Sequence, residues 1–214
     1  MISRNILKRF IFLWILITFS ITLFAGEPYV IMVSFDGFRF DYDTKTETPN
    51  LDFMRDHGTK AESIKPVFPS KTFPNHYALA TGAYAATNMI TANKFYDYEY
   101  DAVYKIADKE KVRDAKWYKA EPIWATAERQ NVKAASYFWV GSEAPTKGFS
   151  PSIVKAYEHN FPFKARVDSV MSWLQLPEEK RPQLVMLYFH EPDSAGHKFG
   201  PENPDLIPII KNMD

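Results

Sequence analysis

Three groups of polar residues in this chain have types and spacings that could do chemistry. The first is Asp36, which follows an apolar run and precedes Gly37. The second is Thr72, set where the stretch FPSK enters a short helical pattern. At a helix N-terminus the first backbone N–H groups lack intrahelical acceptors and the macrodipole favours negative charge, so an alkoxide or a phosphate would be stabilised there. A threonine hydroxyl is a weak nucleophile until a base or a metal removes its proton. The nearest histidine in sequence is His76, one turn on. An ordinary N-cap threonine would account for Thr72 equally well. The third group is Asp193 with His197. A carboxylate and an imidazole four residues apart can reach one metal ion from a short loop or a helical turn. Gly196 and Gly200 leave room for tight turns beside them. A surface aspartate capping a turn next to a histidine would give the same pattern.

These residues gain meaning from the elements that must position them. Strands and helices alternate along the chain, which predicts an α/β fold with a mostly parallel sheet flanked by helices. Residues 29–35 read as a buried strand ending in Asp36-Gly37. Thr48 as N-cap and Pro49 in the first turn open a helix that Gly58 ends. Residues 61–67 read as a second strand, and residues 73–81 as a short helix closed by Gly82. Pro122 opens a further helix, residues 133–139 read as a strand, and residues 163–176 carry helical periodicity. Residues 184–189 (LVMLYF) form the clearest buried strand, followed by a polar loop over 191–201. Residues 206–214 begin a helix without a stop signal, as in a chain cut short. In open α/β sheets ligands bind beyond the carboxyl ends of the strands. Asp36 and the Asp193/His197 pair both follow strands, and the topology can bring Thr72 to the same edge.

Composition narrows the chemistry. The chain has 214 residues, 46% of them hydrophobic, enough for one ordinary domain with a sizeable core. Acidic and basic residues balance at 26 each, so nothing suggests binding to a nucleic-acid duplex. There is no cysteine, which excludes thiolate zinc sites and disulfides and leaves Asp, Glu, His and hydroxyl oxygen as ligands. Aromatic residues make up 16% of the chain; most of them should fill the core. Residues 1–25 carry Arg4, Lys8 and Arg9, then an apolar run of about 16 residues ending at Ala25. That reads as a cleaved export signal, shorter than the roughly 20 residues that span a bilayer. A periplasmic or secreted protein without a stable membrane anchor is expected; an uncleaved signal would leave it anchored.

Several blocks, in consistent order, resemble the ectonucleotide pyrophosphatase/phosphodiesterase family of the alkaline phosphatase superfamily. They are YVIMVSFDGFRFDY, FPSKTFPNHYALATGAY, NKFYD, KWYKAEPIWATAE, YFWVGSE and LYFHEPDSAGHKFGP. The resemblance implies two zinc ions. Asp36 and Thr72 would hold the one that activates the nucleophile, Thr72 itself. Asp193 and His197 would hold the other, which carries the attacking water. Asn93 would donate to a phosphate oxygen, Phe73 and Tyr157 would sandwich a nucleobase, and Trp139 would border that pocket. The implied reaction forms a phosphothreonine ester and releases nucleoside monophosphates from nucleotide substrates.

The resemblance also implies ligands that this stretch does not supply. Zinc wants three to four protein ligands, and each ion finds two here. The family's later Asp-His-Gly and a further histidine would lie beyond residue 214, so residues 26–214 read as the N-terminal part of one catalytic domain. Asp56-His57-Gly58 copies that motif but ends a helix rather than a strand, and helix capping explains it. His159 and His190 read as structural or surface residues, and Glu191 as support for its loop. Other readings are a phosphodiesterase of choline or other non-nucleotide esters, or a truncated, non-catalytic chain with exposed strand edges. The donor set suits divalent ions besides zinc. A sulfatase fits poorly, because the sulfatases of this superfamily use a modified Cys or Ser where Thr72 stands.

Overall fold

A computed structural model describes residues 28–214; the expected export signal, residues 1–25, lies outside the described residues. The central sheet has four strands in the order β1-β6-β4-β5: β1 Val30–Phe35, β4 Ala134–Tyr137, β5 Ile153–Lys155 and β6 Leu184–Phe189. All three pairings are parallel, with Val33 opposite Leu187 and Ser136 opposite Met186. Parallel neighbours need crossover connections, and the intervening helices supply them. Every residue of β6 is buried, as a continuous apolar run in a covered parallel strand should be. A separate antiparallel hairpin pairs β2 Lys94–Asp97 with β3 Ala102–Lys105.

Helix α1 spans Pro49–His57 and α2 spans Thr72–Thr81, closed by Gly82 at φ 64°. Short α3 (Ala85–Asn88) and α4 (Lys109–Arg113) flank the hairpin in sequence. α5 (Ile123–Arg129) follows Pro122, as predicted, and α6 (Phe163–Leu174) leads to β6. α7 (Asp193–Phe199) and α8 (Ile207–Met213) complete the set. The main core packs β4 and β6 against Tyr77, Trp117, Trp124 and Trp173. Most aromatic residues are thus spent on packing. β1 is an edge strand, and its Val30, Ile31 and Val33 are about half exposed. Among the described residues no helix is long and apolar enough to cross a membrane.

Four expectations need correction, the first being the buried strand over residues 29–35, because β1 is a half-exposed edge. Residues 61–67 are not a strand but an irregular, exposed segment, with Ile64 at 79% exposure. A strand needs a partner, and the Val67 N–H is instead taken by the Asn75 side chain at 2.8 Å. The polar loop over 191–201 contains α7, because Ala195 and Phe199 supply an apolar face that packs with Tyr42 and Leu206. Thr48 sits at the N-cap of α1, but its hydroxyl donates to the Asp43 carbonyl at 3.0 Å rather than capping. The carboxylate of Asp214 caps α1 instead, accepting from Leu51 N at 2.8 Å and Asn50 N at 3.2 Å. Trp139, expected to border the base pocket, is 2% exposed and donates through Nε1 to the His76 carbonyl at 3.1 Å.

Candidate active site

Parallel pairing of β1 with β6 delivers two carboxylates to one place. The Asp36 N–H donates to the Phe189 carbonyl at 2.9 Å, which extends the ladder one residue past β1. The Asp193 N–H then donates to the Asp36 carbonyl at 2.9 Å. Gly37 makes that approach possible. Its φ is +68°, and a Cβ there would stand 2.8 Å from the Asp193 Cα. The Asp36 carboxylate accepts from the Tyr188 hydroxyl at 2.8 Å. Burial and the Asp36 charge in turn push the Tyr188 phenol well above its ordinary range.

Thr72 is the first residue of α2, with Lys71 at the N-cap. Its hydroxyl takes no hydrogen bond from the described residues. Asn93 lies just before β2 and reaches back, its Oδ1 accepting from the Phe73 N–H at 3.0 Å. That bond uses one free donor of the helix terminus and fixes the amide orientation, leaving the Asn93 Nδ2 donors beside Thr72. His76 is 4% exposed. Its Nδ1 lies 2.8 Å from the Thr72 carbonyl and its Nε2 lies 2.7 Å from Ser34 Oγ. Both ring nitrogens are therefore engaged away from the Thr72 hydroxyl, so His76 is not placed as its base.

Asp193 and His197 lie one turn apart on α7, with His197 Nε2 3.5 Å from Asp193 Oδ2. The His197 side chain is 79% exposed and that of Asp193 35%. Glu191, expected to support a loop, supports the start of a helix, its carboxylate accepting from the Ala195 N–H at 3.0 Å. Burial, then the Asp36 charge, holds the Asp193 carboxyl above the usual carboxylate range. Two carboxylates close enough to repel in a half-buried place are an arrangement that a cation relieves, and the His197 imidazole beside Asp193 is a donor that suits zinc. The donor set fits the metal in kind. Among the described residues no three His, Asp or Glu side chains converge as a ready metal cluster.

The two rings expected to sandwich a base are held by separate neighbours. The Phe73 ring meets Tyr104 at 6.3 Å between centroids, whereas the Tyr157 ring meets Phe138 at 5.3 Å and Tyr188 at 6.3 Å. The Tyr157 N–H donates to Glu143 Oε1 at 2.9 Å, and its hydroxyl pairs with His159 Nδ1 at 2.9 Å. His159, which is exposed, stacks on half-buried His190 at 4.0 Å between centroids. Burial, the His159 ring and the Arg166 charge lower the pKa of His190 to about 4, so it is neutral at physiological pH. His57 of the decoy motif stacks on Phe53 and bonds the Phe53 carbonyl at 2.9 Å.

Ser34, Tyr188 and the anchoring of His76 escaped the sequence reading. One faint signal was available: Ser34 is the polar interruption in VIMVSF, two residues before Asp36, and so lies on the same face of β1.

The fold and the site together define an α/β protein with an acidic, hydroxyl-bearing site at the carboxyl ends of a parallel sheet. A family model described as type I phosphodiesterase / nucleotide pyrophosphatase matches residues 30–214, and the chain belongs to that family. Among curated proteins it is similar to ectonucleotide pyrophosphatase/phosphodiesterase family member 1 of Homo sapiens, 40% identical over 189 residues. That match covers 87% of this chain and 20% of the human protein. Venom phosphodiesterase of Naja atra is 42% identical over 187 residues, covering 86% of this chain and 22% of the relative. The chain thus spans about a fifth of the length of these curated relatives. Among solved structures it is similar to murine ectonucleotide pyrophosphatase/phosphodiesterase 5, described as an inactive threonine-to-alanine variant in complex with AMP. The TM-score is 0.82 at 32% identity, over 87% of this chain and 50% of the murine one.

Proposed function

We propose that this chain supplies the nucleophile and four metal donors of a two-zinc nucleotide pyrophosphatase/phosphodiesterase. The observation that carries the reading is Thr72, with an unbonded hydroxyl at the first position of α2, beside an Asn93 whose amide is already oriented. Family membership and the AMP complex of the murine relative support a nucleotide as substrate. Asp36 and Thr72 would hold one zinc ion, Asp193 and His197 the other. Bound there, zinc would acidify the threonine hydroxyl, supply hydroxide for the second displacement and neutralise charge on the phosphoryl oxygens. Thr72 Oγ attacks phosphorus, its proton leaves to solvent, and the bond from phosphorus to the first product breaks. The Asn93 Nδ2 donors stabilise the developing charge. Water then cleaves the threonine ester and releases a nucleoside monophosphate. Phe73 and Tyr157 would hold the base, each from its own support.

The solved murine relative extends over twice the matched length, so the remaining zinc ligands are proposed to come from sequence beyond residue 214, with residues 26–214 as the N-terminal part of that domain. Residues 1–25 are proposed as the export signal of a periplasmic or secreted protein. The test is Thr72→Ala in the protein expressed from the gene's whole reading frame. Hydrolysis of a nucleotide diester should fall by roughly three orders of magnitude or more while AMP still binds. A variant that keeps its rate overturns the reading. Faster wild-type turnover of glycerophosphocholine than of the nucleotide diester replaces the substrate class and leaves the chemistry.

A further inference from the structure

We propose that His76 is a positioning residue for the threonine nucleophile, clamping the first turn of α2 to the strand that carries Asp36. The inference rests on the proposed role of Thr72. The Thr72 carbonyl can only accept, so the His76 Nδ1 at 2.8 Å must be the donor. In the Nδ1–H tautomer, Nε2 accepts from the Ser34 hydroxyl at 2.7 Å. One imidazole thus bridges the backbone of residue 72 and a side chain two residues before Asp36. The ring cannot swing away. It stands edge-on to Tyr188 at 5.0 Å and 89°, and to Trp139 at 5.5 Å and 73°. Trp139 Nε1 also holds the His76 carbonyl at 3.1 Å. Tyr188 closes the circuit, because its hydroxyl donates to Asp36 Oδ2 at 2.8 Å.

The arrangement ties three things to one frame: the backbone of the nucleophile, the strand leading to Asp36, and the Asp36 carboxylate. Displacing a reacting group by about 1 Å can cost as much as a hundredfold in rate, so such a frame bears on turnover more than on binding. A histidine placed only to fill the core would need its ring shape and neither nitrogen.

Three variants and one spectrum separate these roles. His76→Phe keeps the ring and removes both hydrogen bonds. His76→Asn keeps a donor for the Thr72 carbonyl, as neighbouring Asn75 does for the Lys71 carbonyl at 2.9 Å, but loses Ser34. Ser34→Ala removes only the anchor on β1. We expect kcat on a nucleotide diester to fall by roughly 10- to 100-fold in His76→Phe, with KM within about twofold. His76→Asn should recover most of that loss, and Ser34→Ala should fall between it and wild type. In the metal-free wild-type protein, nitrogen-15 shifts should show His76 protonated on Nδ1 and not on Nε2 at neutral pH. An Nε2–H tautomer overturns the proposal whatever the activity. So does a His76→Phe variant that folds and keeps its kcat, in which case the role of Thr72 still stands. If wild type hydrolyses no diester while the Nδ1–H tautomer is present, the functional reading fails, and the positioning role falls with it.

Discussion

The two halves of the candidate site are built differently. The half containing Asp36 and Thr72 is braced from beneath: Tyr188 holds the Asp36 carboxylate, and His76 ties the Thr72 carbonyl to Ser34 on β1. Of its supporting side chains His76 and Tyr188 are buried and Ser34 is half-buried, and each is hydrogen-bonded. The half containing Asp193 and His197 is one turn of an α-helix whose imidazole faces solvent. The difference is between a site whose geometry the core dictates and a site that offers donors and awaits order from what binds. Preorganisation matters most where a bond forms, so the rigid half is the one carrying the proposed nucleophile. The backbones of the two halves meet at a seam where Gly37 lets Asp193 approach Asp36.

Breaking the seam should give the largest effect. Gly37→Ala places a methyl 2.8 Å from the Asp193 Cα and forces a non-glycine residue to φ +68°. Backbone strain and overpacking together should cost about 2–4 kcal/mol of stability. Because both carboxylates move apart, diester hydrolysis should fall by at least about 100-fold. Urea unfolding and initial rates measure the two losses. A variant that is destabilised but still active would mean that the halves act without a shared register.

The comparison also explains what the sequence could reveal. β6 is legible to the residue, because a run such as LVMLYF has one stable setting, a strand covered on both faces. β1 and α2 are legible for similar reasons: an apolar run stopped by Asp36-Gly37, and a short helix stopped by Gly82 at positive φ. The individual residues Asp36, Thr72, Asn93, Asp193 and His197 are nameable from their blocks; the first four sit at element boundaries, and His197 follows Asp193 by one helical turn. The brace is not. Ser34 and His76 are 42 residues apart, and Tyr188 and Asp36 are 152 apart, so no local pattern couples them. Residues 61–67 mislead in the opposite sense. They have extended-chain chemistry, but a strand exists only when another strand takes its hydrogen bonds. α7 was hidden because Gly196, Gly200 and Pro201 advertise a loop, and only Ala195 and Phe199 mark the buried face.

The open half allows a sharper, intermediate test. His197→Ala removes a side chain that is 79% exposed and whose Nε2 lies 3.5 Å from Asp193 Oδ2. Stability should therefore change by less than about 0.5 kcal/mol. If His197 is a metal donor, kcat/KM should still fall by roughly 10- to 100-fold, and excess zinc should restore part of it. Such a split, activity without stability, would mark the open half as functional and structurally dispensable. A comparable fall in stability would show that α7 is held by its imidazole, and the contrast between the halves would dissolve.

The smallest effect is expected from the outside of the seam. Glu202, just past α7, accepts from Lys45 Nζ at 2.9 Å and pairs with Arg39, which is itself bonded to Asp41 at 3.0 Å. The Tyr42 hydroxyl adds a bond to the Pro201 carbonyl at 3.0 Å. These contacts strap the loop after Asp36 to the segment after His197, so they too join the halves. Hydrogen bonds from Lys45 and then Arg39 hold the Glu202 carboxyl down from an ordinary 4.5 to about 2. A depressed acid contributes stability above its unfolded value, and the contribution is lost as pH falls through the folded one. The loss should therefore fall between about pH 4.5 and pH 2. Glu202 is solvent-exposed, so screening keeps the contribution small. Glu202→Gln should flatten that acid limb slightly, change diester hydrolysis by less than about twofold, and match wild type in about 1 M salt, where charges are screened within about 3 Å. Thermal unfolding across pH, at low and high salt, measures the first and last of these. A loss of activity approaching that of Gly37→Ala would reverse the ranking: the exposed strap, rather than the glycine contact, would then be what keeps Asp36 and Asp193 in register.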